Sequence, residues 1–466
     1  MSISWSRSFA HHLARRAGFG GTPAEIDALT AMGHDAAVRS FVNTDAIDNS
    51  ALESALTALT TPVPPATTAP YDLNTATGLQ KWFLHRMAFT ARPLEEKMTF
   101  FWNQVLTSGI AKVNDATLML IQNKTQRSLA LGRLDDLILA ISKDPAMLIW
   151  LDNYTNTKGR PNENYAREVM ELFTLGVDRY TQQDVTEVAR ALTGWTITKP
   201  SGAPASQYVF SFSASNHDTG SKTILGQTGT WDGTDAIRII LEAADARASL
   251  SGRFLGANLW SFFAYNDPPA WVLDELAAVY VSSNRSIRAV VDHIFRMEEF
   301  YEPHARKSLI RSPVEYIVAT LHQLEAKTDM STPAANLVPM GLNLFSPVDA
   351  RGWEGDLDWI NTGTVFARAS FTNSLTTNRG TTGTRIDVAA LTAGKTLATA
   401  RDVVNALADR LGLADAPPEI LAVWEKYVDS RPDGSRGFWT NTPTQVDQKI
   451  RGLAHLMITS AEYHLC

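Results

Sequence analysis

The chain has 466 residues, 44% of them apolar and 20% charged, which excludes a disordered chain, a coiled coil and a collagen-like repeat. Its 42 Lys and Arg against 49 Asp and Glu leave a net charge of −7, without the basic excess of a nucleic-acid-binding surface, so no nucleic-acid partner is expected. The single cysteine, Cys466, excludes an intrachain disulfide and a thiolate metal cluster; the 12 tryptophans are many for a ring whose N–H needs a partner when buried.

Taken in chain order, residues 1–18 (MSISWSRSFAHHLARRAG) lack the continuous apolar core of a signal peptide, so the chain as written is expected in the cytoplasm. No apolar run approaches the roughly 18 residues of a membrane span. His11 and His12 are adjacent on an amphipathic helix and point to different faces, which makes a poor chelate. Thr22-Pro23 reads as a helix start, with a capping side chain followed by proline at the first helical position. Residues 1–58 are expected to form a helical segment packed on the main unit, and the Pro- and Thr-rich stretch 59–75 to be a connector. Residues 76–466 then form the main domain, with a small β insertion at about 205–230. Apolar residues at three- and four-residue spacing predict helices over 77–90, 93–107, 133–142 and 445–459. Alternation at 208–212 predicts a strand that pairs with 223–225 in a hairpin. The fold class is therefore mainly α, a single large multi-helical domain with a small β-hairpin insertion near 208–226.

The chemistry concentrates in 151–195 (LDNYTNTKGRPNENYAREVMELFTLGVDRYTQQDVTEVARALTGW). Pro161 is expected to open a helix. At about 100° per residue, Tyr165, Ala166, Val169, Met170, Leu172 and Phe173 fall on one arc. Glu163, Asn164, Arg167, Glu168 and Glu171 fall on the opposite one. Such a face can hold two carboxylates at different protonation, which general acid–base hydrolysis requires. On that reading Glu168 and Glu171 are the acid and base, Arg167 tunes them, and Asp152, Asn153, Asn156, Asn162 and Asn164 orient polar substrate groups. The same oxygens suit Ca²⁺ or Mg²⁺, although no residue is assigned as a metal ligand and no cofactor is expected. The plainer alternative is a solvated face of i,i+4 pairs, Glu163 with Arg167 and Arg167 with Glu171.

Further along, Thr181 with Asp184 has a near capping-box spacing. Trp195 closes the block and, like Glu163, is expected to bind substrate. His217-Asp218 sits in a turn-rich sequence and serves either as a polar site or as ordinary turn composition. His85, His293, His304 and His322 are isolated, on helix surfaces or in the core. Residues 352–361 (GWEGDLDWIN) place Trp353 and Trp359 in an acidic, glycine-bearing loop, where they act as platforms for a sugar ring or as pins to the core. No phosphate loop, HExxH, GxSxG or CxxC occurs.

The segments HHLARRAGFGGTPAEID, LEEKMTFFWN, DPAMLIWLDN, PNENYAREVMELFTLGV, DVTEVARALTGW, HDTGSKTILGQTG and LFSPVDARGWEGDLDWIN occur in one order between residues 11 and about 370. In them the chain resembles the large bacterial family catalogued as domain of unknown function 1800. The resemblance implies a single mainly helical unit. Many members carry export signals, and their genes often lie beside those of a sulfatase-like family, which implies work on glycans or the cell envelope. Where relatives typically read Trp-His-Asn-His, this chain has Trp102-Asn103-Gln104-Val105. The resulting expectation is a hydrolase acting on a carbohydrate or other polar small-molecule or polymer substrate, with a partner protein as a further expectation. The alternatives are a non-catalytic glycan-binding or envelope-assembly protein, and a structural oxygen-ligand metal site.

Overall fold

The computed structural model describes residues 3–201, 208–244, 249–353, 355–431 and 433–466. The predicted insertion boundary at 205 and the loop carboxylate Glu354 lie outside these. Helices carry the fold, and each begins where its local chemistry allows. Thr22 and Glu25 form a reciprocal capping box ahead of Pro23–Met32, and Thr181 and Asp184 do the same for Gln182–Ala191. The periodic stretches emerge as Ala76–Phe89, Pro93–Val105, Leu134–Ser142 and Pro443–Ile458, each within two residues of the spacing-based boundaries at its start. No helix among the described residues is long and apolar enough to cross a membrane.

Two apolar clusters share the interior. One gathers helix Arg7–Ala17 with residues from Leu94 to Tyr301; the other joins residues from Phe19 through Leu79 and Phe83 to Tyr463. Residues 1–58 contribute to both, through Leu13 and Phe41 on one side and Leu52 and Leu56 on the other. Helix Pro93–Val105 lies between the clusters. Its Met98, Phe101 and Trp102 face one and its Phe100 the other. A helix placed between two clusters must be covered on all sides, and every residue from Glu96 to Asn103 is buried, while Pro93, Glu95, Gln104 and Val105 at its two ends are partly exposed.

The strands depart from expectation. β1 (Trp195–Thr198) pairs antiparallel with β2 (Val209–Phe212), Trp195 opposite Phe212 and Thr198 opposite Val209. β3 (Lys222–Ile224) instead pairs with β4 (Gln227–Gly229). The single hairpin of 208–212 with 223–225 is therefore corrected to two separate two-stranded sheets. The cause is local. Leu225 and Gly226 both adopt positive φ, 47° and 79°, the conformation of a two-residue type I′ turn, so β3 finds its partner two residues on. Leu-Gly lacks the Asn-Gly or Asp-Gly signature that would have announced that turn.

Candidate functional site

The carboxylate helix spans Glu163–Glu171, two residues later than Pro161 suggested. Asn162 is its cap, with its side chain accepting from the Asn164 amide at 3.0 Å. Most of the apolar arc is buried as the spacing requires: Tyr165, Ala166, Val169, Met170 and Phe173 are core residues, while Leu172 is half-buried and lines a cleft. The polar arc divides along its length. At the N-terminal end Glu163 accepts from Gln182 Nε2 at 2.8 Å, Thr186 Oγ1 at 2.9 Å and Arg167 Nη2 at 3.4 Å. Arg167 also donates to Gln182 Oε1 at 2.8 Å, so its hydrogen bonds tie this helix to Gln182–Ala191. At the C-terminal end Glu171 turns into a cleft and accepts from the Tyr180 hydroxyl at 2.5 Å. Glu168, one turn back from Leu172, is half-buried. Burial, then the charges of Glu171 and Asp349, raise its carboxyl above the ordinary range, and Arg167 opposes them.

The cleft has a volume of about 670 Å³. It opens where helix Pro93–Val105 ends, with Gln104 and Val105 in its wall. The loop carrying the two tryptophans lies across that helix end. Gly352 makes this approach possible: its φ is +88°, and a Cβ there would lie 2.6 Å from the Gln104 carbonyl oxygen. Trp353 and Trp359 both line the cleft, and their ring N–H groups are buried without an acceptor among the described residues. Asp356 also lines it and accepts from Asn266 Nδ2 at 2.9 Å. At the inner wall Glu315 pairs with Lys97; against the burial that would raise it, Lys97 and Ser312 hold Glu315 at about 2.

Tertiary packing thus brings together Glu171, Trp353 and Trp359 in the cleft wall, with Glu168 behind that wall, close enough to Glu171 to feel its charge. The other sequence candidates occupy different places. Asp152 takes a left-handed conformation and pairs with Lys112 at 2.8 Å on the surface, and Asn164 Nδ2 reaches it at 3.5 Å. Asn153 is fully buried and accepts from Asn156, and Asn156 Oδ1 in turn receives the Asn162 amide. These amides brace their own loop. Trp195 is buried against Phe210, with Lys143 over its ring, and has no open face for a ligand. His217 Nδ1 bonds the Thr193 carbonyl at 2.8 Å, and Asp218 accepts from Arg190 Nε at 2.8 Å. The pair joins the two small sheets to helix Gln182–Ala191. Asn103 is buried, whereas Val105 faces the cleft.

Sequence reasoning missed Tyr180, and it missed Phe254, Asn258 and Phe262 on the helix Leu250–Phe263. The latter three recur every four residues on one face, with an amide between two rings, a pattern legible only once that face is known to border a cleft. Among the described residues no group of three or more His, Cys, Asp or Glu is arranged to hold a metal ion.

A family model described as "Protein of unknown function (DUF1800)" matches residues 12–465. No curated protein and no solved structure matches the chain.

Proposed function

The chain belongs to this DUF1800 family, and, since the family's description names no reaction, we propose from the cleft itself that it is a hydrolase acting on a carbohydrate substrate. The observation that carries this reading is the meeting in one cleft of the half-buried carboxylates Glu171 and Asp356 with two tryptophan rings, whose buried N–H groups meet no acceptor among the described residues. Flat rings bury the apolar faces of sugars, while amide and carboxylate groups such as Asn258, Asn266 and Asp356 take their hydroxyls. Glu168, whose carboxyl is raised by burial and by the neighbouring Glu171 charge, is assigned the role of general acid toward the leaving oxygen. Glu171, positioned by the Tyr180 hydroxyl, receives the opposite role of base or nucleophile.

Glu168→Gln and Glu171→Gln, made separately, should each abolish release of reducing sugar from an oligosaccharide panel. Unfolding free energy should stay within about 1 kcal/mol of wild type, since neither side chain is an interior packing element. Full activity in both variants would overturn the assignment. Saturable saccharide binding without product in the wild type would replace it with a non-catalytic binding protein.

A further inference from the structure

Behind the end of the cleft walled by Leu309, Ile310 and Cys466 lies a concentration of positive charge that the carboxylate chemistry does not use. Arg15, Arg16, Arg311 and Arg368 are 7%, 2%, 2% and 0% exposed. Arg15 and Arg16 come from helix Arg7–Ala17 and Arg368 from helix Thr362–Thr377, while Arg311 precedes helix Pro313–Gln323. The separation from the cleft is one side chain thick: Arg16 Nη1 is 3.4 Å from Sγ of Cys466, itself part of the wall.

The partners of these guanidinium groups are almost all neutral. Arg16 Nη2 donates to the carbonyls of Ala264 and Ala305 and to the Ser308 hydroxyl; Arg15 Nη2 donates to the Gly412 carbonyl. Arg368 Nη2 donates to the Arg311 carbonyl at 2.8 Å. Arg311 and Arg368 stack over Tyr463 and Tyr316, at 4.1 and 4.9 Å. Among the described residues Arg16 Nε, Arg311 Nη1, and Arg368 Nε and Nη1 meet no acceptor.

The charges facing the cluster do not balance it. Glu315 is already joined to Lys97, and Asp415 to Lys307. Asp415 opposes the effect of burial on Arg15, and Glu315 opposes it on Arg16 and Arg368. His12 and His464 add no positive charge, both being lowered by burial and by neighbouring arginines, His464 to about 4. Burial and the charge of Arg311 push Arg15 and Arg368 down to about 10, still charged at neutral pH. Buried charges escape the salt screening that weakens surface ones, and their field emerges where a low-dielectric wall opens to water. Here that opening is the cleft, whose wall also carries the carboxylates of Glu171 and Asp356 and, paired with Lys97, that of Glu315.

We propose that the cleft takes an acidic saccharide, seating an oxyanion substituent at the Leu309, Ile310 and Cys466 end in the field of the arginine cluster, while its rings run over Trp353 and Trp359 toward Glu171. This rests on the cleft being a saccharide site, and the test separates the two statements. Calorimetric titrations of the full chain and of its Glu171→Gln variant use tetragalacturonate, a neutral galactose tetramer and inorganic sulfate, at low and high NaCl. Tetragalacturonate should bind at least tenfold tighter than the neutral tetramer at low salt, and the gap should narrow as salt rises. Sulfate should compete with the acidic tetramer. Arg368→Met should shrink the preference severalfold and Arg368→Lys, which keeps the charge, should retain it; if Arg368→Met does not fold, the salt dependence and sulfate competition in the wild type decide alone. Equal binding of both tetramers would overturn the acidic preference and leave the saccharide reading standing. Sulfate binding without binding of either tetramer would support the cationic end and overturn the saccharide reading. No binding of any probe would overturn both.

Discussion

Asp144 shows how one side chain sets a pH response. It is 4% exposed, caps the short helix Pro145–Trp150 through the Met147 amide at 3.0 Å, and accepts from Gln122 Nε2 at 2.9 Å. Burial outweighs those two hydrogen bonds and pushes its carboxyl up to about 7. Between the unfolded value near 4 and that folded value, the folded chain holds a proton that the unfolded chain has released. Its contribution is therefore complete below about pH 4 and is lost as pH rises through about 7. Asn at this position keeps the cap and removes the charge. Asp144→Asn should be more stable than wild type at pH 8 by about 2–4 kcal/mol and nearly equal to it at pH 4. Urea unfolding at both values checks this; an identical pH dependence in the two proteins would show that folding does not shift the Asp144 carboxyl.

Between elements, the same residue can cap one helix and fasten another. Glu25 Oε2 closes the capping box on the Thr22 amide at 2.7 Å and also meets His322 Nε2 at 2.9 Å, which joins helix Pro23–Met32 to Pro313–Gln323. Against the burial that would raise it, His322 and the Thr22 amide hold Glu25 at about 2, and Glu25 in turn raises His322 against its own burial. The Glu25 part of the stability is present above about pH 4 and lost as pH falls toward 2. The His322 part is present below about pH 6.5 and lost as pH rises through its raised folded value. Because half of the Glu25 side chain is exposed, solvent screens the pair. Glu25→Gln should cost about 1 kcal/mol near pH 5.5, mostly from the weakened cap, and less at pH 8. Thermal melts of the variant and wild type at the two pH values test the sign of that difference.

At the scale of the whole molecule, the buried carboxylate of Glu96 links segments distant in sequence. Arg86 Nε and Arg127 Nε reach it at 2.9 and 2.8 Å, and Arg86 also binds Glu53 of helix Ser50–Thr60. Both guanidinium groups lie over Trp82, at 5.3 and 5.0 Å. Removing the shared carboxylate leaves two buried cations facing each other, so Glu96→Ala should destabilise by about 3–5 kcal/mol. Because residues 1–58 enter both apolar clusters and this network, tryptophan fluorescence and far-ultraviolet circular dichroism should report one coincident urea transition. An early phase confined to one probe would show that the first helices unfold on their own.

The helices were legible because their determinants are local. Thr22, Thr181 and the i,i+3/i+4 spacing of 77–90 and 163–173 act within a turn or two of chain, and most of the apolar arc of the carboxylate helix is buried as its periodicity requires. The same periodicity could not distinguish one end of the polar arc from the other. Arg167 and Glu163 face the neighbouring helix while Glu171 enters the cleft, a division made by where Gln182–Ala191 and the Trp353 loop pack. Strand pairing was misjudged for a related reason, since alternation says which face is apolar but not which strand lies alongside. Trp195 and Trp353 are chemically identical; the first is enclosed beside Phe210 and Lys143, and the second lines the cleft. By itself the sequence determined a mainly helical chain with one carboxylate-bearing helix and one tryptophan loop, because capping and periodicity are short-range. Only the tertiary structure decided that these two face each other beside a buried arginine cluster, because burial and electrostatic field depend on neighbours hundreds of residues away.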